Sequence, residues 1–141
     1  MKIIPIILFL FTFQLSSAQN DAFKEFKIES IYLKGSKYIK NDVSYPIGFF
    51  HSNLGKEMQI SPHAIAEWKK FKTNRNVSLI LATAGLGAFI AGINAADNST
   101  AQNTLIISGA ALSFSSLFFS INANNQLNKS IWTRNRDLLS N

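Results

Sequence analysis

The apolar and polar positions divide the chain into stretches with different periods. Behind Lys2 runs an apolar segment over residues 3–11, carried on through Phe13 to Leu15. Residues 22–50 alternate instead: Phe26, Ile28, Ser30 and Tyr32 fall on one side of a period-two pattern rich in aromatic and β-branched types, which predicts short extended segments. Gly35 breaks that pattern, and the strand-like residues Tyr38, Ile39, Val43, Ser44 and Tyr45 flank Lys40, Asn41 and Asp42. Asn and Asp tolerate left-handed backbone, so a tight hairpin is expected there, with Pro46 confining its second strand to an edge. Two or three such strands bury little and need a surface to pack on, for which Ile47, Phe49 and Phe50 are the apolar candidates. A short helix over residues 53–59 would place Leu54 and Met58 on one side, though Gly55 weakens it.

Ser61 followed by Pro62 is a helix start: the serine can cap, and proline suits the first helical position. Ala64, Ile65, Trp68 and Phe71 then keep an apolar face while Glu67, Lys69, Lys70, Lys72 and Arg75 stay polar. No Gly or Pro stops this helix before residues 77–95, a charge-free stretch matched by a second at residues 104–123. At about 1.5 Å per residue each reaches roughly the 30 Å thickness of a bilayer core. The connector, residues 96–103, is polar and short enough to make the two helices antiparallel neighbours. The expected fold is therefore mainly α with a small β-hairpin head. Residues 1–18 form a signal peptide, residues 19–60 the strand-containing head, and residues 61–141 a transmembrane helical hairpin extended beyond the membrane. A buried hairpin in a soluble helical oligomer is the competing reading.

Small side chains mark where a helix can approach. Ala84, Ala88, Gly92 and Ala96 recur every four residues, with Gly87, Ala91 and Ala95 beside them, while Gly109, Ala110, Ala111 and several serines offer a matching surface on the second helix. Packing within one hairpin and packing between copies both use such a face. The membrane-flanking basic residues, Lys69, Lys70, Lys72, Arg75, Lys129, Arg134 and Arg136, all lie at the end away from the connector, whose one charge is Asp97. Folding the hairpin at its tip brings Trp68 and Trp132 to one level, where they could flank the headgroup layer but are expected instead to pack against each other.

Composition sharpens this division. Charged residues are 16% of the chain against 47% hydrophobic, and between residues 76 and 128 Asp97 is the one charge. Ser16, Ser17 and Ala18 follow the first apolar run as a peptidase site would, so cleavage after Ala18 and export are expected. An exported basic protein meets lipid or acidic partners rather than nucleic acid. Export conflicts with the basic flanks, which the positive-inside rule would keep in the cytoplasm. The signal is the more specific feature, and it places head and C-terminus in the periplasm.

Candidate chemistry is sparse. The chain has no cysteine, and His51 and His63 lack ligand spacing, so no metal site, cofactor or catalytic constellation is expected. Gly85, Leu86 and Gly87 do not make a dinucleotide fingerprint. Ser61, Pro62, His63 and Ala64, continuing to Lys69, Lys70, Phe71, Lys72, Thr73, Asn74 and Arg75, form one motif-like segment. Leu127, Asn128, Lys129, Ser130, Ile131, Trp132, Thr133, Arg134, Asn135 and Arg136 form another. In these the chain resembles small exported two-helix hairpin proteins of Bacteroidota, a resemblance that implies export and a hairpin and lends no activity or binding residues. The function expected is a non-enzymatic, membrane-anchored structural or interaction protein of the bacterial cell envelope. Its partners would be the lipid bilayer and an envelope protein or a second copy of itself. The alternative is an oligomeric hairpin, packed through small residues, that forms a pore or perturbs membranes.

Overall fold

The computed structural model describes residues 26–95 and 99–139; the expected signal peptide, Asp97 and Ala96 lie outside them. The described residues form two compact units, one made of residues 26–61 with residues 131–139, the other of the described residues between 62 and 130.

In the head unit, residues 26–29 are helical, and Ser30 N–H donates to the Phe26 carbonyl at 2.8 Å. The alternation over Phe26, Ile28 and Ser30 therefore does not make a strand: four residues of period-two pattern are too few to override a helical turn. Strands β1 (Ile31–Lys34), β2 (Lys37–Lys40) and β3 (Val43–Pro46) follow as an antiparallel meander in the order β1-β2-β3. Gly35, at φ 60°, turns the first hairpin. Asn41 and Asp42, at φ 50° and 59°, turn the second, the left-handed pair that a two-residue loop needs to match strand twist. Tyr38 pairs with Tyr45 across β2 and β3 and their rings stack at 5.3 Å. Pro46 ends the edge strand, where its missing N–H costs no ladder bond.

A tight turn over Phe49–His51 leads into α1 (Ser52–Glu57), then a 3₁₀ turn, Met58–Ile60. Leu54 and Met58, four residues apart, are fully buried beside Ile31, Tyr38 and Ile39 among the core residues. Phe49 and Phe50 take no part in that core; they are 82% and 59% exposed.

The second unit is the hairpin of α2 (Pro62–Asn94) and α3 (Ser99–Asp137), whose last turns belong to the head. At its polar base, Ala64, Trp68, Phe71, Ala123 and Leu127 are buried. Glu67 there accepts from Lys70 on its own helix and Lys129 on the other, each at 3.1 Å.

Candidate functional site

Two features of the hairpin bear on function: how the helices meet, and what they leave outside. Beyond the Glu67 and Lys129 pair at the base, they meet at three further levels in antiparallel register. The Ser78 hydroxyl donates to the Ser116 carbonyl at 2.8 Å. One step further, a Cβ on Gly85 would lie 2.9 Å from the Gly109 carbonyl, and one on Gly109 would lie 2.8 Å from the Gly85 carbonyl. Only glycine permits that approach, because either Cβ would strike backbone that cannot swing aside. Near the tip, a Cβ on Gly92 would meet Ile106 at 2.8 Å. Positions 78, 85 and 92 are seven apart, the repeat that keeps one seam of a helix facing its neighbour.

This seam includes one expected residue and adds another. Gly92 is on it, Ala88 is half-buried, Ala84 is exposed, and Gly85, one position beyond Ala84, makes the closest approach. Gly87 has open space around its Cα. A four-residue repeat counted from Ala84 drifts across the helix face, whereas the seam follows the seven-residue period that two antiparallel helices share.

Outside the seam the helices are apolar and uncovered. Ile80 is 68% and Phe114 73% exposed, and Leu86, Phe89, Ile93, Ile107, Leu117, Phe118 and Ile121 are exposed as well. Both helices are long and apolar enough to cross a membrane. Their polar side chains turn inward on their own backbone: Thr83, Asn94, Thr104, Ser108, Ser113 and Ser115 each donate to the carbonyl four residues back, at 2.7–2.9 Å. Each hydroxyl's one donor is thereby used within its own helix, while the Asn94 amide keeps a second N–H.

The flanking cations divide. Lys69, Lys70, Lys72, Lys129 and Arg136 are exposed and Arg75 is half-buried, its guanidinium 6.0 Å from the Phe71 ring. Trp68 is packed on Phe71 at 4.9 Å, whereas Trp132 is exposed with Arg136 at 5.3 Å over its ring. Arg134 is no surface charge: its side chain is fully buried at the centre of the head. Its guanidinium donates to the backbone carbonyls of Glu29 at 2.6 Å and Glu57 at 3.1 Å, and to the Glu57 carboxylate at 3.0 Å. Lys40 closes the cluster, 2.8 Å from the Glu29 carboxylate and 3.4 Å from that of Glu57.

Two cations thus face two carboxylates. Its hydrogen bond to Glu29, with both carboxylates' attraction, raises the Lys40 ammonium above its usual range although burial opposes it. Burial first, then the Glu57 charge, raises the Tyr38 hydroxyl. Next to Arg134, the Asn135 amide accepts from Ile31 N–H at 3.0 Å and donates to the Ile31 carbonyl at 2.7 Å, as a neighbouring strand would. It thereby covers part of the free edge of β1. Ser61 also donates a short hydrogen bond to Asp137, a residue from the same C-terminal segment.

Among the described residues no group of three or more His, Cys, Asp or Glu converges as metal ligands. His63 is exposed at the start of α2, and His51 sits in the left-handed turn before α1. No sequence family matches the chain, and neither a curated protein nor a solved structure is similar enough to match.

Proposed function

We propose that this is a non-enzymatic exported protein of the bacterial cell envelope, anchored in a bilayer by its helical hairpin, with its head acting as an interaction or structural module. The observation that carries this reading is the uncovered apolar surface of both helices together with their inward-bonded hydroxyls. In water that surface would be far larger than the apolar patches monomers tolerate, while in hydrocarbon it needs no cover. The Gly85 and Gly109 approach favours packing within one hairpin over the alternative of an oligomeric pore, since the closest backbone contact is already made inside one chain.

A cysteine scan tests the anchor and its orientation together, the native chain having no cysteine to give background. With the outer barrier of intact cells opened, cysteines at Ser36 and Ser140 should react with an impermeant thiol reagent and one at Ser99 should not. Labelling at Ser99 alone would reverse the orientation, and release of the whole protein by alkaline carbonate would remove the anchor.

A further inference from the structure

The turn after β3 holds its aromatic pair in an unfavourable backbone. Phe50 and His51 are consecutive non-glycine residues at φ 49° and 62°, the left-handed region that L-residues with a Cβ adopt only under constraint. Gly48 precedes them at φ 84°, where a Cβ would lie 2.7 Å from the Ser52 hydroxyl. The result is outward display: Phe49 and Phe50, rings edge to face at 4.2 Å, are 82% and 59% exposed, and Ile60 is exposed as well. Strain of this kind persists where the surroundings enforce it, and here it leaves both phenylalanine rings more than half exposed.

The exposed charged side chains that the described residues place at this turn are lysines. Lys37 pairs with Pro46, and Ile47 N–H donates to the Ser36 carbonyl at 3.3 Å, so the β1–β2 turn with Lys34 and Lys37 lies against the start of the aromatic turn. Lys56 follows on α1, and all three lysines are exposed. Of the head's described acidic residues, Glu29 and Glu57 face Arg134 and Lys40, Asp137 pairs with Arg136 and accepts from Ser61, the residue after Ile60, and Asp42 is in the other hairpin turn, at the opposite end of β2 and β3. Exposed aromatics amid lysines match a surface with an apolar interior and an anionic rim.

We propose that the Phe49 and Phe50 turn inserts into an anionic lipid surface, with Lys34, Lys37 and Lys56 against the headgroups. This goes beyond the anchoring hairpin and does not depend on it.

The test uses the full chain carrying a nitroxide on Phe49→Cys, or separately on Phe114→Cys in the hairpin, with vesicles of phosphatidylcholine alone or mixed with phosphatidylglycerol. Insertion predicts that the Phe49 label gains oxygen access and loses access to a water-soluble nickel relaxant when phosphatidylglycerol is present. Each lysine changed to glutamine should lower the inserted-to-free ratio about fivefold. A label at Phe49 that stays in water in both lipids, or is shielded from nickel without gaining oxygen, as under a protein partner, would overturn the proposal. So would insertion indifferent to the lysines and to phosphatidylglycerol. The Phe114 label reports the hairpin separately: lipid contact there with an aqueous Phe49 retains the anchor and removes the insertion, and the reverse pattern does the opposite. Unchanged circular dichroism and melting of the Phe49→Cys chain would establish that an aqueous label reflects a folded head.

Discussion

The hairpin and the head treat polar groups in opposite ways. Along α2 and α3, hydroxyl after hydroxyl bonds to a carbonyl four residues back on its own helix, and the helices' backbones come closest at glycines. In the head, the polar bonds join residues far apart: Arg134 to Glu57 and Glu29, Asn135 to Ile31. Local satisfaction suits a helix that must face hydrocarbon, because each segment arrives with its donors already used. Long-range satisfaction suits a small body too poor in apolar residues to be held by its core alone, where a buried ionic cluster makes one arrangement of distant segments specific. The two regions should therefore fail for different reasons.

The largest difference should come from Arg134→Met. Removing one partner leaves the Glu57 carboxylate with Lys40 as its one cation in the cluster and should cost the head about 3 to 5 kcal/mol. Peptide-resolved hydrogen exchange on the full chain in micelles should show protection lost over residues 26–60 and kept over residues 62–95. Loss spread evenly over both would mean that the regions are one cooperative unit. Arg134→Met combined with Glu57→Met should recover much of the loss, since an apolar pair replaces a buried ionic one at little cost.

A second break belongs to the hairpin. Gly85→Leu puts a branched side chain where even a Cβ would meet backbone at 2.9 Å, and overpacking of this kind costs about 1 to 3 kcal/mol. Gly87→Leu, with open space around it, should change little. The distance between nitroxides on the two helices, measured by pulsed electron resonance, should lengthen for the first variant only; equal lengthening would move the seam to the Ala84 line.

These sites also show how much the sequence could reveal. Ser61 and Pro62, the Asn41 and Asp42 turn, and the two charge-free stretches are local signals, and the structure has a helix from Pro62, left-handed backbone at the turn, and two long apolar helices. Gly85 was partly visible: the small-residue pattern was there, but choosing Gly85 over Ala84 requires the shared seven-residue period of two helices already paired. Arg134 had no local signal at all, because its partners are 77 and 105 positions away and its neighbours Lys129 and Arg136 are exposed cations. Phe49 and Phe50 misled for a related reason: hydrophobic type predicts burial, and nothing in composition reveals a strained turn that faces outward.

A smaller effect is expected from Asn135→Leu, which leaves Ile31 without its side-chain-made strand partner and should cost the head about 1 to 2 kcal/mol. Exchange at the Ile31 amide reports it directly. The hairpin should not respond, and if it did, the C-terminal segment would be coupling the two regions rather than serving the head.

The smallest effect is a difference in pH response. Lys40 is raised by its bond to Glu29 and by the attraction of both carboxylates against its burial, and Tyr38 by burial and then by Glu57. Groups raised on folding lend stability that is whole below their unfolded values, about 10 to 10.5, and is lost as pH rises through the folded values. Glu67 runs the other way, lowered first by the bond from Lys70 and then by Lys129, against burial. Its contribution is whole above the unfolded value of about 4.3 and is lost as pH falls through the lowered one. Alkali should thus loosen the head before the hairpin base, and acid should remove the Glu67 contribution from the base. The readout is the dependence of unfolding free energy on pH, followed in the head by tyrosine absorbance and at the base by Trp68 emission in a Trp132→Phe background. Lys40→Met should flatten the alkaline limb alone and Glu67→Gln the acid limb alone; a crossed response, with Glu67→Gln changing the alkaline limb, would dissolve the distinction between the two regions.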